Sequence, residues 1–122
     1  MNLKWPERRR FIRVDVPLKV TFKNGNYLEK GVTINISPVG VKFESAKEIK
    51  ADDEFEIALY LPSIDNPIHI KAKIVWQKKT SLEDKAPYEV GAEIISIKET
   101  DKNIFLKYLC DLFYNSTYEL KV

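Results

Sequence analysis

The sequence predicts an all-β domain of six antiparallel strands curled into a small barrel, followed by one α-helix. Three observations predict it. Apolar and polar residues alternate through six segments as far as Ile97, the period that places every second side chain on one face of a strand. The connections are short and rich in Asn, Gly, Pro and Ser, as in a meander or a closed barrel, and closure would remove the exposed sheet edges. Beyond Thr100 the apolar spacing changes to that of a helix.

Residues 1–12 read as an arm. They are polar, contain Pro6 and show no sustained periodicity. The first strand begins at Arg13, with Val14, Val16, Leu18, Val20 and Phe22 alternating with polar positions. Pro17 argues for an edge there, because proline donates no ladder hydrogen bond. Asn24-Gly25 is a tight-turn signal. Strands are then predicted over roughly 29–36 and 39–44, followed by a polar loop over 45–53. In the segment 54–61, Phe55, Ile57, Leu59 and Leu61 share a face. Residues 62–67 carry two prolines and turn. The strand 68–78 places Ile68, Ile70, Ala72, Ile74 and Trp76 on one face, and a charged loop at 79–86 leads to the strand 88–97. Thr100-Asp101 reads as a helix N-cap, opening a helix over about 101–114 with Ile104, Phe105, Leu109 and Leu112 on its core face. The division expected is an arm over residues 1–12 and a barrel-plus-helix domain over 13–122.

At 122 residues the chain has the size of one domain. It is 44% hydrophobic and 31% charged, an ordinary soluble balance. A net charge of +2 argues against a general polyanion binder. Cys110 is the single cysteine, so no intrachain disulfide can form. With no apolar run of membrane-spanning length and no signal-peptide core at the start, the expected setting is the cytoplasm, without membrane insertion.

The basic character is local. All four arginines lie between Arg8 and Arg13, while sixteen lysines are spread over the rest. Lysine would serve for solubility, so this cluster asks for guanidinium. That group is planar and always charged, forks onto phosphate oxygens and the O6/N7 edge of guanine, and stacks on rings. An anionic, guanine-bearing ligand fits. A second segment, Asn35-Ile36-Ser37-Pro38-Val39-Gly40, lies between the second and third strands. Asn and Ser bond well to local backbone and to incoming groups, and glycine permits positive φ and close approach. Taken alone, it reads most simply as a hairpin turn.

Together, Arg8-Arg9-x-x-x-Arg13 and Asn35-x-Ser37-x-x-Gly40 resemble the PilZ family, whose pattern is RRxxxR followed by [D/N]xSxxG. The resemblance extends to the strand ending near Trp76, the strand Tyr88–Glu93 and the C-terminal helix. It implies a six-stranded antiparallel PilZ-like barrel that binds the bacterial second messenger cyclic di-GMP. Arg8, Arg9 and Arg13 would then meet phosphates and guanines, Asn35 and Ser37 would bond base or phosphate at the rim, and Gly40 would keep the floor clear. Arg8, just before the RxxxR core, implies room for two ligand molecules as an intercalated dimer. Arg10 lies outside the triplet and reads as an accessory charge.

The expected function is therefore a non-catalytic receptor or adaptor, with no cofactor and no metal. It would relay the messenger level to an unidentified effector protein in motility, attachment or exopolysaccharide control. Binding would pin the arm against the barrel. Two alternatives stand beside it: a small-barrel nucleic-acid binder, which would lose affinity steeply with salt, and a PilZ-like adaptor that acts without ligand. DNA or RNA is not the expected partner. His69, the sole histidine, has no Cys/His cluster around it and reads as structural. Cys110 is expected to pack in the helix, and Trp76 to sit in the core or at the barrel rim. Trp5 reads as a cover for a base or as local packing. The acidic groups at Asp52–Glu54 and Glu83–Asp84 read as solvated loops, with no paired-carboxylate chemistry.

Overall fold

The computed structural model describes residues 12–50 and 54–121, with side chains as far as Asn115. The strands are β1 (Val14–Asp15), β2 (Lys19–Asn24), β3 (Tyr27–Ser37), β4 (Gly40–Ser45), β5 (Glu54–Leu59), β6 (Ile68–Lys79) and β7 (Tyr88–Ile97). A helix, α1 (Glu99–Lys121), follows. Every pairing is antiparallel. The order β3-β2-β5-β6-β7-β4 closes through β3–β4, making the expected six-stranded barrel, and β1 is an additional strand on β3.

The strand predicted from Arg13 to Phe22 is interrupted at Pro17. Both pieces run along the same edge of β3, but the register slips by one residue between Val14↔Ile36 and Lys19↔Val32. Thr33 fills the break. Its hydroxyl accepts the Leu18 N–H at 2.7 Å and donates to the Val16 carbonyl at 2.5 Å. Pro17 itself is exposed, so its missing N–H leaves no buried gap.

The first hairpin also differs in detail from the expectation. Asn24 pairs with Tyr27, so Gly25 and Asn26 are the two loop residues. Only Gly25 has positive φ, at 66°, which matches a type II′ turn with glycine first. Asn24 is thereby released to strap a loop. Its amide donates to the Glu48 carbonyl and accepts the Lys50 N–H. Gln77 clamps the same loop from β6, bonding both the N–H and the carbonyl of Ile49. These side chains stand in for a ladder at residues 48–50, and buried Ile49 closes that end of the core.

The core is the inner face of the barrel, including Val20, Phe22, Ile36, Phe43, Ile57, Leu59, Ile70 and Val90. Phe105 and Leu109, one turn apart on α1, join it and pack the helix against β1 and β6. Burying a side chain such as Phe105 stabilises by roughly 1.5–3 kcal/mol. The helix starts at Glu99, two residues before the predicted 101, with only Lys98 between it and β7. Asp101 does not cap it; its carboxylate accepts the His69 N–H and ties α1 to β6. With no Gly or Pro after Gly91, nothing in the sequence stops the helix at residue 114. Two expectations on its faces are corrected. Ile104 is 38% exposed, and Cys110 is exposed rather than packed, because the buried stripe is the narrow one through Phe105 and Leu109. No described helix is long and apolar enough to cross a membrane.

Candidate functional site

Residues directly opposite on neighbouring strands share a face. Ile36, Val41, Ala92 and Ile74 oppose one another in turn across β3, β4, β7 and β6. The first three are buried and Ile74 packs against the core, so this row faces inward. The rows on either side of it face outward. One contains Asn35, Lys42, Gly91 and Trp76; the other contains Ser37, Gly40, Glu93 and Lys73. Asp15 extends the first row beyond Asn35. Arg13, one residue before Val14, comes abreast of Ser37. A cleft of about 420 Å³ lies over these rows, lined by Arg13, Asn35, Ser37, Gly40, Lys42, Trp76, Gly91 and Glu93 among others.

Of the six residues singled out from the two motifs, the structure thus brings Arg13, Asn35, Ser37 and Gly40 to one cleft. Arg8 and Arg9 lie outside the described residues, as do Arg10, Trp5, Asp52 and Asp53. Glu54, the last of that acidic group, begins β5, with its carboxylate 3.9 Å from the Lys71 ammonium.

Ser37 is 4% exposed, and its Oγ accepts the N–H groups of Val39 and Gly40 at 3.2 and 3.1 Å. That builds the two-residue turn Pro38-Val39. A serine hydroxyl has two acceptor positions and one donor. With both acceptors turned to the backbone, Ser37 can offer an incoming group only its proton, which suits a phosphate oxygen or a guanine carbonyl. Gly40 has no positive φ. Its constraint is space: a Cβ there would lie 3.2 Å from the Ala92 carbonyl oxygen.

Trp76 corrects the largest error of face. Strict alternation put it with Ile70 and Ile74. A β-bulge at Val75 inserts one residue, so Ile74 opposes Ala92 but Trp76 opposes Gly91. The indole therefore turns outward and is 40% exposed. It lies on Gly91, where a Cβ would come within 2.4 Å of Cε2 and Nε1. The ammonium groups of Lys42 and Lys78 stand 5.7 and 5.8 Å from the ring centroid, within cation–π range. Lys42 is also 3.6 Å from Glu89. This makes an aromatic plate with two ammonium groups over it, on the same wall as Asn35.

Lys42, Gly91 and Glu93 were not singled out from the sequence. A glycine inside a strand signals close approach of another group, and Gly91 carried that signal. Gly91→Ala should dislodge the indole from its seat, because the new methyl meets a ring stacked on sheet backbone. The expected result is a tilted or mobile Trp76 in the variant's crystal structure, with unfolding little changed since the ring can swing to solvent. An unmoved indole would refute the contact.

The profile of the PilZ domain matches residues 7–110. The chain belongs to the PilZ domain family. No curated protein matches it in sequence. Among solved structures it is similar to the PilZ domain of YcgR from Escherichia coli with c-di-GMP, at TM-score 0.71 and 14% identity, covering 93% of this chain and 98% of that one. It is similar also to the Bacillus subtilis inhibitor of motility (MotI/DgrA), at TM-score 0.70 and 19% identity, covering 88% of this chain and 52% of the other. The Borreliella burgdorferi PlzA protein in complex with c-di-GMP matches at TM-score 0.63 and 16% identity, covering 93% and 55%. The chain therefore spans about half the length of the inhibitor and of PlzA. At these identities the likeness is one of fold.

Proposed function

We propose that this chain is a non-catalytic receptor for cyclic di-GMP that passes the signal to a partner protein. The observation that carries the reading is convergence: Arg13 from one motif and Asn35, Ser37 and Gly40 from the other line one cleft beside an outward-facing Trp76. The ligand implied has two phosphates and two guanines. The cleft offers a guanidinium, a proton donor, an amide and an aromatic plate. Family membership and the neighbours whose structures contain c-di-GMP support the same reading.

In this proposal Arg8 and Arg9, on the arm of residues 1–12, join Arg13 on the phosphates or guanine edges. Ser37 donates to an oxygen, Asn35 bonds a base or phosphate, and Gly40 keeps the cleft floor low. Each charge-assisted hydrogen bond contributes about 1.5–3 kcal/mol, whereas micromolar binding needs only about 8 kcal/mol net. A few such bonds and one stacked base are enough, after the cost of association. The ligand touches both arm and barrel, so binding pins one to the other and changes the surface shown to a partner. The neighbour described as an inhibitor of motility makes motility a process to test first.

Calorimetric titration with cyclic di-GMP tests the reading and counts ligands per chain. Saturable binding that persists at high salt is expected, with two ligands per chain if they intercalate. No response to the nucleotide, together with salt-sensitive binding of single-stranded nucleic acid, would replace this proposal by the nucleic-acid one.

A further inference from the structure

Glu93 is the only carboxylate among the described residues lining the cleft. In a site for a dianion it works against binding, since like charges repel. It stands two residues after Gly91 on the outer face, opposite Gly40 on β4 and Lys73 on β6. Two residues of strand advance about 7 Å. A purine set against the Trp76 indole, itself seated on Gly91, and turned along β7 would bring an edge toward Glu93.

We infer that Glu93 reads that base: its carboxylate accepts the N1–H and N2–H groups of a guanine stacked on Trp76. The inference rests on the cyclic di-GMP reading above. A carboxylate only accepts hydrogen bonds, through two oxygens side by side. Guanine is the purine with two adjacent donors on its Watson–Crick edge. Hypoxanthine keeps one of them, and adenine presents a bare ring nitrogen at N1. The pairing neutralises the cost of an anion in the cleft only when the base is guanine. Glu93 is thus a specificity-determining residue for the N1–H and N2–H edge, which arginines on the phosphates or on the O6/N7 edge do not read.

The experiment compares cyclic di-GMP with cyclic di-IMP, which lacks the exocyclic amines, by calorimetry on the full chain. Wild type is expected to prefer the guanine ligand by about tenfold or more, the discrimination of a good bidentate contact. Glu93→Ala and Glu93→Gln should bring the two affinities nearly level, the glutamine because its amide sets a donor against N2–H. Arg13→Ala should weaken both ligands alike and leave the ratio intact. Glu93 is exposed on a strand, so the thermal melting of both Glu93 variants should match wild type. A guanine preference that survives in both Glu93 variants overturns the inference while leaving the receptor intact. So does tighter binding of both ligands at an unchanged ratio, which would make Glu93 a mere repeller of phosphate. A wild-type chain that ignores cyclic di-GMP overturns the inference and the receptor reading together.

Discussion

Arg13→Ala is expected to weaken cyclic di-GMP binding by about a hundredfold, and Arg13→Lys to recover little of the loss. Arg13 is exposed and precedes the first strand, so it carries little of the barrel's stability. Its place is on the cleft, abreast of the buried Ser37 hydroxyl. A guanidinium gives two parallel hydrogen bonds to a phosphate or to a guanine edge, at about 1.5–3 kcal/mol for a bond to a charged group. Losing such a contact corresponds to roughly ten- to hundredfold in affinity. Lysine keeps the charge but not the fork or the flat face. Calorimetry on the three proteins, with melting curves to show equal folding, measures this directly. Equal affinity for wild type and Arg13→Ala would remove Arg13 from the site.

Phe43→Ala is expected to cost about 3–5 kcal/mol of folding stability, by the transfer and cavity terms of a buried aromatic. Phe43 is wholly buried, with its ring centroid 5.4 Å from that of Phe22, which in turn meets Phe55 edge-on at 6.2 Å. These rings come from β4, β2 and β5, so the cluster ties together strands far apart in sequence. A domain of this size is stable by only about 5–15 kcal/mol, and such a loss leaves little margin. Phe43 follows Lys42 and lies on the strand that begins with Gly40, so the cleft melts with the core. Urea unfolding measures the effect. A cost below about 1 kcal/mol would mean that the barrel collapses into the cavity instead of holding its shape. Phe43→Leu, which keeps most of the volume, should cost less than half as much.

Much of the architecture was legible before any coordinate. Period-two alternation is imposed by the strand backbone, so the inward faces of β2, β5 and the first half of β6 could be read from Val20, Phe22, Ile57, Leu59, Ile68 and Ile70. The arginine cluster and the Asn-x-Ser-x-x-Gly segment were legible because side-chain chemistry is a property of residue type. The misread strand faces share one origin. Alternation assumes that no residue is inserted, and bulges at Ile34, Val75 and Ile95 break that assumption. Closing a barrel demands local bending that single-strand patterns do not record. The Val75 bulge alone turned Trp76 from an expected core neighbour into the plate of the cleft. The helix length was misjudged for another reason: the spacing of apolar residues marks where a helix is held, not where it ends.

The all-β class, the closing helix, the concentration of guanidinium before the first strand and the kinship with PilZ domains are written in the chain itself. These follow from backbone periodicity and residue chemistry, which are local. Folding alone brings Arg13, Asn35, Ser37 and Gly40 to one cleft with Trp76, seats the indole on Gly91, and places Glu93 on the lining of the same cleft. Those relations depend on strand register and on bulges set by closure of the sheet, and register is settled by contacts between segments rather than within them.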